Sequence, residues 1–294
     1  MPETTADRDG VELSRLEAGL DALETTAERG PSPWVRFRRG ALPPLAAAVL
    51  VVAVWQLLYW AKIKEPYELP APLDVWHSFT EAWAQGRVTE AVWTSVHRGG
   101  LGFLFSVAVA TPLGVLVARV RFVRTAVGPV LSGLQSLPSV AWVPAAIIWF
   151  GLTDAAIYTV VLLGAVPSIA NGLVAGIDQV PPLYLRAGRV LGARGLTAVR
   201  HVLLPAALPG YLAGLKQGWA FSWRSLMAAE LIVRSADLGL GLGQLLEQGR
   251  ELSDMSLVMA SIFLILLVGV GIELLFFAPL ERHVLRARGL TQAQ

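Results

Sequence analysis

The sequence lacks several features on which most enzymes depend. None of its 294 residues is cysteine, so the chain has neither a disulfide framework nor thiol chemistry. It contains no G-x-x-x-x-G-K-[ST] phosphate loop and no Ser–His or His/Asp/Cys constellation. The histidines lie without the spacing of metal ligands: they are His77, His97, His201 and His283. The sequence therefore predicts a protein that is not an enzyme, holds no metal, and cannot hydrolyse ATP by itself.

Charged residues are also scarce. They make up 16% of the chain, whereas hydrophobic residues make up 54% and the mean hydropathy is +0.56. This composition is too apolar for an ordinary soluble domain and is typical of a protein that spans a lipid bilayer. The formal net charge is only +2, so no nucleic-acid partner is expected.

Six stretches are apolar enough to cross a bilayer, which takes about 20 residues of helix. They cover about residues 41–61, 99–120, 127–150, 155–177, 208–233 and 255–277. If the N-terminus lies inside, Lys and Arg are about twice as frequent in the inner flanks as in the outer segments. We therefore expect an all-α membrane protein with six transmembrane helices and with both termini in the cytoplasm.

The first 40 residues form a polar tail ahead of the transmembrane domain, which covers residues 41–290. The tail has no apolar run of the kind found in a signal peptide. Its composition favours a partly disordered segment. A loose apolar stripe leaves a short amphipathic helix open as the alternative: Val11, Leu13, Leu16, Leu20 and Leu23.

The third span is interrupted by Pro138 and Pro144 and carries Gln135, Ser136 and Ser139. Proline frees backbone carbonyls, which inside a bilayer must be satisfied by neighbouring helices, water or polar side chains. We therefore expect a broken helix inside a bundle or beside a cavity. Two interpretations stay open, a kink that lines a translocation path and a kink that serves packing alone.

The fifth span carries all the charges that the sequence places at membrane depth. A step of about 100° per residue puts Lys216, Trp219, Trp223 and Glu230 on one face of a helix, with Arg224 at its edge. Ionisable groups in a span usually face a bundle interior or an aqueous cavity. This face is predicted to line a translocation path and to favour an anion. The alternative is that the charges pair within the bundle or extend to the membrane surface.

Between the fourth and fifth spans lies a basic segment, residues 181–205, which we call the elbow. Pro181 and Pro182 suit the start of a helix, and Gly192 and Gly195 suit a helix end with left-handed backbone. A second short helix is predicted from Leu196 to Leu204, ending at Pro205. A basic helix held at the membrane surface by anionic lipid would share the charge pattern.

The elbow resembles the EAA loop of ABC importer permeases. That motif is a Glu-Ala-Ala triplet, three residues, a glycine, nine residues and then Ile-x-Leu-Pro. Here Arg186, Ala187 and Gly188 stand at the triplet, Gly192 at the glycine, and the motif closes at Val202, Leu204 and Pro205. The spacing is kept throughout, and Arg186 replaces the usual Glu.

Other stretches resemble the branch that carries sulfonates, taurine, nitrate and bicarbonate. They are L-P-S at 137–139, W-V-P at 142–144, W-F-G at 149–151, W-R-S-L-M-A-A-E at 223–230 and G-L-G-L-G at 239–243. The resemblance implies the type I importer fold, similar to the permease of methionine importers, in the bacterial inner membrane. It also implies a second copy of the chain, two ATPase subunits that bind ATP and Mg²⁺ and dock at the elbow, and an extracytoplasmic binding protein.

Two other classes of membrane protein are alternatives to an importer permease. An ion-coupled secondary transporter usually shows internal repeats, with ionisable residues in corresponding halves. The sequence shows no such repeat, because the proline-broken third span has no counterpart. An integral membrane enzyme would need a catalytic constellation that the sequence lacks.

Overall fold

The computed structural model describes residues 42–288, and every regular element in that range is helical. The first six α-helices are α1 (Leu42–Trp60), α2 (Pro72–Ala84), α3 (Arg87–Arg119), α4 (Arg121–Ser136), α5 (Val143–Phe150) and α6 (Asp154–Asp178). The others are α7 (Pro182–Val190), α8 (Gly195–Ala198), α9 (Leu204–Ile232), α10 (Leu242–Glu251), α11 (Met255–Ile272) and α12 (Ala278–Ala287). The tail predicted for residues 1–40 lies outside the described residues. The all-α prediction is confirmed for the part of the chain described.

Five rods within residues 42–288 are long and apolar enough to span a membrane, or six if α4 and α5 count as one broken span. Four of them are α1, α3, α6 and the rod Gly195–Ile232, in which α8 runs into α9. The fifth is Met255–Ala287, in which α11 continues into α12. The α4–α5 pair is bent by 102° at the break between Ser136 and Ser139.

Two predicted boundaries differ from the structure. The second span was expected to begin at about residue 99. The helix that contains it, α3, begins earlier, at Arg87, and its first three turns are polar. The second helix of the elbow was expected to end at Pro205, which is wrong, because the rod continues to Ile232. Pro205 has no N–H to donate, and the chain accommodates it by widening the preceding turn, Val199–Leu203, into a π-helix.

The chain divides into two compact units, residues 1–63 and 64–294. Of the first unit the structure describes α1 and the residues that follow it. This helix has a mean hydropathy of 1.9 and is apolar on all sides, as is usual for a helix in lipid.

In the second unit α6 is the central helix. It packs against α3, α4, α5 and α9, and about two thirds of its apolar window is buried. Large side chains such as Ile157, Ile169 and Leu173 are fully enclosed there. α10 lies between α9, α11 and α3, and α2 packs against α3 and α11.

The contact between α6 and α9 depends on glycine. A Cβ at Gly172 would lie 2.3 Å from the Cα of Gly214, and a Cβ at Gly210 would lie 2.6 Å from the Cα of Gly176. Real side chains do not tolerate such distances, so the two backbones touch. Small residues allow this close packing of membrane helices, where van der Waals contact replaces the hydrophobic effect as the stabilising force. The α6–α9 pair is therefore in direct backbone contact along these glycines.

Candidate coupling elbow and translocation residues

The elbow is built on a glycine-terminated helix. Gly192 has a φ of +85°, in the left-handed region that glycine tolerates. The N–H of Ala193 donates to the carbonyl of Gly188 at 2.8 Å, and the N–H of Gly192 donates to the carbonyl of Arg189 at 3.1 Å. These two bonds form the Schellman motif that ends many helices. The turn at Gly192 is thus fixed by the backbone rather than by side chains.

Gly188 positions α7 against the rod that follows. A Cβ on Gly188 would lie 2.9 Å from Cγ2 of Val202, so the helix can cross the π-helical turn closely only with glycine there. Ala187, Arg186 and Pro205 are exposed around this crossing, and Leu204 is half-buried. The six residues predicted for coupling therefore all lie in the elbow or at its junction with α9.

The tip of the elbow combines apolar and basic side chains. Val190, Leu191 and Leu196 are 83–87% exposed and are the most exposed large apolar side chains among the described residues. A cavity of about 290 Å³ opens beside them, and Arg119, Arg189 and Arg194 line it. Sequence reasoning had placed the arginines in the elbow but had missed the apolar tip. The apolar residues that flank the Gly192 turn were the available signal.

The polar residues of the broken span point in two directions. The side-chain amide oxygen of Gln135 accepts a hydrogen bond from the side-chain amide of Asn171 of α6 at 3.0 Å, and Ser139 lies against Gly164 of the same helix. Ser136 is exposed and donates to the carbonyl of Gly133 in its own helix, and Pro138 is exposed as well. One side of the break thus packs on α6 and the other is open.

The predicted face of the fifth span lies mostly inside the protein. Trp219 and Trp223 are 6% and 7% exposed and stack with their ring centroids 6.0 Å apart. The indole N–H of Trp223 donates to the carbonyl of Ile265 in α11 at 3.3 Å. Glu230 is fully buried. In this conformation these three side chains contact the rest of the subunit rather than an open path.

Lys216 and Arg224 have different surroundings. The ammonium of Lys216 lies 2.9 Å from a carboxylate oxygen of Glu273 and 2.8 Å from one of Glu281. This is the pairing that the sequence left open as the alternative. Arg224 is exposed, donates to the carbonyl of Ala220 at 3.1 Å, and lies 4.5 Å from the ring centroid of Phe221.

Comparison with known proteins identifies this arrangement. The family described as "Binding-protein-dependent transport system inner membrane component" matches residues 110–283, which is more than half of the chain. The chain belongs to this family. The match covers the elbow, the broken span and the α6–α9 pair, and it makes the protein a multi-pass membrane permease rather than an enzyme.

Two relatives and one solved structure support the assignment. The permease is 27% identical over 276 residues to the putative aliphatic sulfonates transport permease protein SsuC of Bacillus subtilis, covering 94% of this chain and 98% of SsuC. It is 29% identical over 246 residues to the taurine transport system permease protein TauC of Escherichia coli, covering 82% and 88%. These matches confirm the resemblance drawn from the motifs.

The fold is similar to that of a chain of the MetNI methionine ABC transporter, solved in inward facing conformations. The TM-score is 0.54 at 21% identity, over 68% of this chain and 97% of that one. This likeness confirms the expected type I importer fold.

Sequence reasoning on the permease missed the partners of its buried charges. Charge at membrane depth was expected in the fifth span alone, which is wrong, because Glu273 lies in the last rod. Arg98 was grouped with the outer segments, yet its side chain is 5% exposed and contacts Glu230. No sequence signal joins these residues, since only the packing of the helices brings them together.

Proposed function

We propose that this permease is the membrane-spanning subunit of an ATP-driven importer. Two copies form the path for a small anionic solute, which an extracytoplasmic binding protein delivers. Two cytoplasmic ATPase subunits bind ATP and Mg²⁺ and dock at the elbow. The transmembrane domain (residues 41–290) crosses the membrane six times when α4 and α5 count as one span, and the tail (residues 1–40) and the C-terminus are cytoplasmic.

The observation that carries the proposal is the elbow itself. An exposed apolar tip is rimmed by arginines and is held on a Schellman turn at one end of a 38-residue rod. Apolar patches of this kind on a protein surface mark interaction sites. Because the rim is basic, we expect acidic residues on the surface of the ATPase that docks there. Arg186 adds a positive charge at the position of the triplet where the family motif has Glu.

Transmission from the elbow follows from the packing of its two flanking helices. At about 1.5 Å per residue the rod Gly195–Ile232 is roughly 57 Å long. Because α6 and α9 touch at backbone distance near the elbow, they cannot slide past each other without breaking contact. A displacement of the elbow by the ATPase therefore moves both helices, and with them the residues at their far end.

The charges of the permease bear on the class of solute. Lys216 is balanced by Glu273 and Glu281, so this site as a whole does not favour an anion. Arg224 is exposed and pairs with no carboxylate among the described contacts, which makes it the stronger candidate to attract one. With the relatives named for aliphatic sulfonates and taurine, we place sulfonates first and nitrate or bicarbonate second.

The test is uptake into proteoliposomes that contain the permease, its ATPase subunits and ATP, with the binding protein outside. Labelled taurine, an alkanesulfonate, nitrate and bicarbonate are supplied separately. We expect uptake of a sulfonate that requires both the ATPase and the binding protein. A complex with an ATPase that cannot hydrolyse ATP is the control. Uptake driven by an ion gradient without the ATPase would instead support a secondary transporter and contradict the proposal.

A further inference from the structure

At the end of α9 far from the elbow, a fully buried carboxylate is held by three donors. Glu230 accepts a hydrogen bond from the hydroxyl of Ser95 at 2.7 Å and from the backbone N–H of Gly243 at 3.1 Å. The guanidinium of Arg98 lies 3.5 Å from its other oxygen. A buried charge is tolerated only with such partners. The position of Glu230 therefore depends on α3 and on the segment that follows α9.

Arg98 joins three elements of the fold. Besides Glu230 of α9, it donates to a carboxylate oxygen of Asp154 at the start of α6, at 2.7 Å. It also donates to the backbone carbonyl of Leu238, beyond the end of α9. The planar guanidinium can serve several acceptors at once, whereas the compact ammonium of lysine is a single point charge. Arg98 thus connects both helices of the α6–α9 pair to the chain beyond them.

That following chain, residues 238–243, is here called the glycine segment. The N–H of Leu242 donates to the hydroxyl oxygen of Ser95 at 2.8 Å, so the serine links this segment to Glu230. A Cβ on Gly241 would lie 2.6 Å from both carboxylate oxygens of Glu230. Glycine is required because the backbone passes directly over the buried carboxylate. The segment leads straight into α10, which is mostly buried against α3, α9 and α11.

We propose that Arg98 and Glu230 are positioning residues that fasten the glycine segment and α10 to the α6–α9 pair. This inference rests on the proposed function. If the elbow moves the α6–α9 pair, the glycine segment and α10 move with it only if their contacts to the pair hold. An apolar pair would fill the same space, and a buried ion pair is not in general the more stable choice. The charged arrangement instead sets the direction of each contact, so the glycine segment has one position relative to the pair.

Movement of the far end and docking of the ATPase depend on different residues. The elbow, where the ATPase docks, lies at the opposite end of the rod, so weakening the Glu230 contacts leaves the basal ATPase rate unchanged. The surface that meets the binding protein keeps its residues, so the concentration of binding protein that gives half-maximal stimulation also stays the same. The maximal stimulated rate falls, because movement at one end no longer follows movement at the other.

The experiment compares Glu230→Gln and Asp154→Asn with Arg234→Gln in the reconstituted complex. Arg234 pairs with Glu251 at 2.7 Å, but both side chains are more than 40% exposed, so this variant removes an Arg–Glu contact of the same region without a buried charge. We expect the maximal stimulated ATPase rate to fall about tenfold in Glu230→Gln, as for the loss of one charge-assisted hydrogen bond. Asp154→Asn should lower it less, and Arg234→Gln should keep the wild-type rate.

A second readout follows the attachment without the ATPase or the binding protein. The chain has no cysteine, so spin labels at Trp93→Cys and Leu252→Cys are unique, and both positions are well exposed, at 72% and 66%. With labelled chains diluted in unlabelled ones, the distance distribution is expected to be narrow in the wild type. It should broaden in Glu230→Gln and Asp154→Asn, and stay narrow in Arg234→Gln.

Each outcome decides between the two proposals. Wild-type stimulation and a narrow distance distribution in Glu230→Gln would overturn the inference. If Glu230→Gln does not accumulate, Asp154→Asn decides, since its half-exposed site tolerates the change, and a wild-type result there would equally overturn it. A wild-type complex that no binding protein stimulates would count against the proposed function. The spin-label distances would then still decide whether Glu230 holds the glycine segment.

Discussion

The chain turns at both ends of the α6–α9 pair, once through Gly192 in the elbow and once through the glycine segment. Around Gly192 there is open space, since a Cβ there would meet nothing within 4 Å. Around Gly241 the space is filled by the Glu230 carboxylate. Gly192 is needed for its left-handed backbone, whereas Gly241 is needed for close approach.

The charges differ in the same way. The elbow carries exposed arginines around an exposed apolar tip, whereas the charges of the far end are joined to one another within the chain. A surface with unbalanced charge is suited to a partner, and a buried, paired set is suited to holding one geometry. The comparison implies that substitutions at the far end act on folding and transmission, while those in the elbow act on turn geometry and docking.

The largest effect is expected from filling the space above Glu230. Gly241→Val would drive methyl groups into the carboxylate, and overpacking of this kind typically costs about 1–3 kcal/mol, occasionally more. We expect a lower thermal midpoint and less monodisperse protein in detergent. Gly100→Val is the matched control, because a Cβ at Gly100 meets nothing within 4 Å. Equal midpoints for the two variants would contradict the packing assigned to Gly241.

The next largest effect is expected at Gly192 in the elbow, where the left-handed backbone conformation restricts the residue and the surrounding space does not. Gly192→Val forces a branched side chain into left-handed backbone, which costs roughly 1–2 kcal/mol and shifts the turn without unfolding the chain. We expect an assembled complex that hydrolyses ATP without uptake. Gly192→Asn adds a side chain of similar size that accepts this backbone, and should keep most of the uptake. Wild-type uptake by Gly192→Val in vesicles would show that the turn geometry is not needed for coupling.

The features that could be predicted from the sequence are those with a local cause. Apolar length predicted the helices long enough to span a membrane, of which the described residues have five or six, proline predicted the break near Pro138, and glycine predicted the turn at Gly192. The start of α3 was misjudged because hydropathy detects the bilayer rather than the helix, and a polar helix can continue beyond the membrane. Pro205 was misjudged because a π-helical turn absorbs a proline that would end a regular α-helix.

The pairing of charges could not be predicted in this way. Arg98 and Glu230 are 132 residues apart in sequence, and Lys216 and Glu281 are 65 apart. The spacing on α9 predicts that Lys216 and Glu230 share one face. In the structure Lys216 pairs with the last rod, whereas Glu230 contacts α3 and the glycine segment, and only the packing of the helices determines these partners. The ion-pair partners of these charged residues could therefore be identified only from the folded structure.

A smaller effect is expected at Arg186, which tests whether the elbow depends on its charge. Exposed ion pairs contribute about 0–1 kcal/mol, so Arg186→Glu should weaken ATPase binding roughly fivefold or less. The wild-type affinity should fall as salt rises, because charges at an exposed interface are screened. Arg282→Glu, a change of the same charge on the exposed face of α12, is the control for net charge. Equal affinities at low salt for Arg186→Glu and the wild type would show that this position does not face an acidic group of the ATPase.

The smallest effect concerns two ion pairs of the far end whose arginines are exposed, in contrast with the buried Arg98 beside them. Arg234 holds the pKa of Glu251 below its usual range, and Arg250 does the same for the pKa of Glu247. A carboxylate with a lowered pKa stabilises the fold above its unfolded pKa, about 4.3, and that contribution is lost as the pH falls through the folded value. The difference in thermal midpoint between the wild type and an Arg234→Gln/Arg250→Gln double variant should therefore be small and constant from about pH 8 to pH 5, and should shrink only below about pH 4. A difference that changes between pH 8 and pH 5 would mean that another titrating group supports α10. Neither arginine contacts Glu230 in the structure, so loss of both pairs should leave the glycine segment in place over Glu230. The spin-label distance between Trp93→Cys and Leu252→Cys should therefore stay narrow while the midpoint falls.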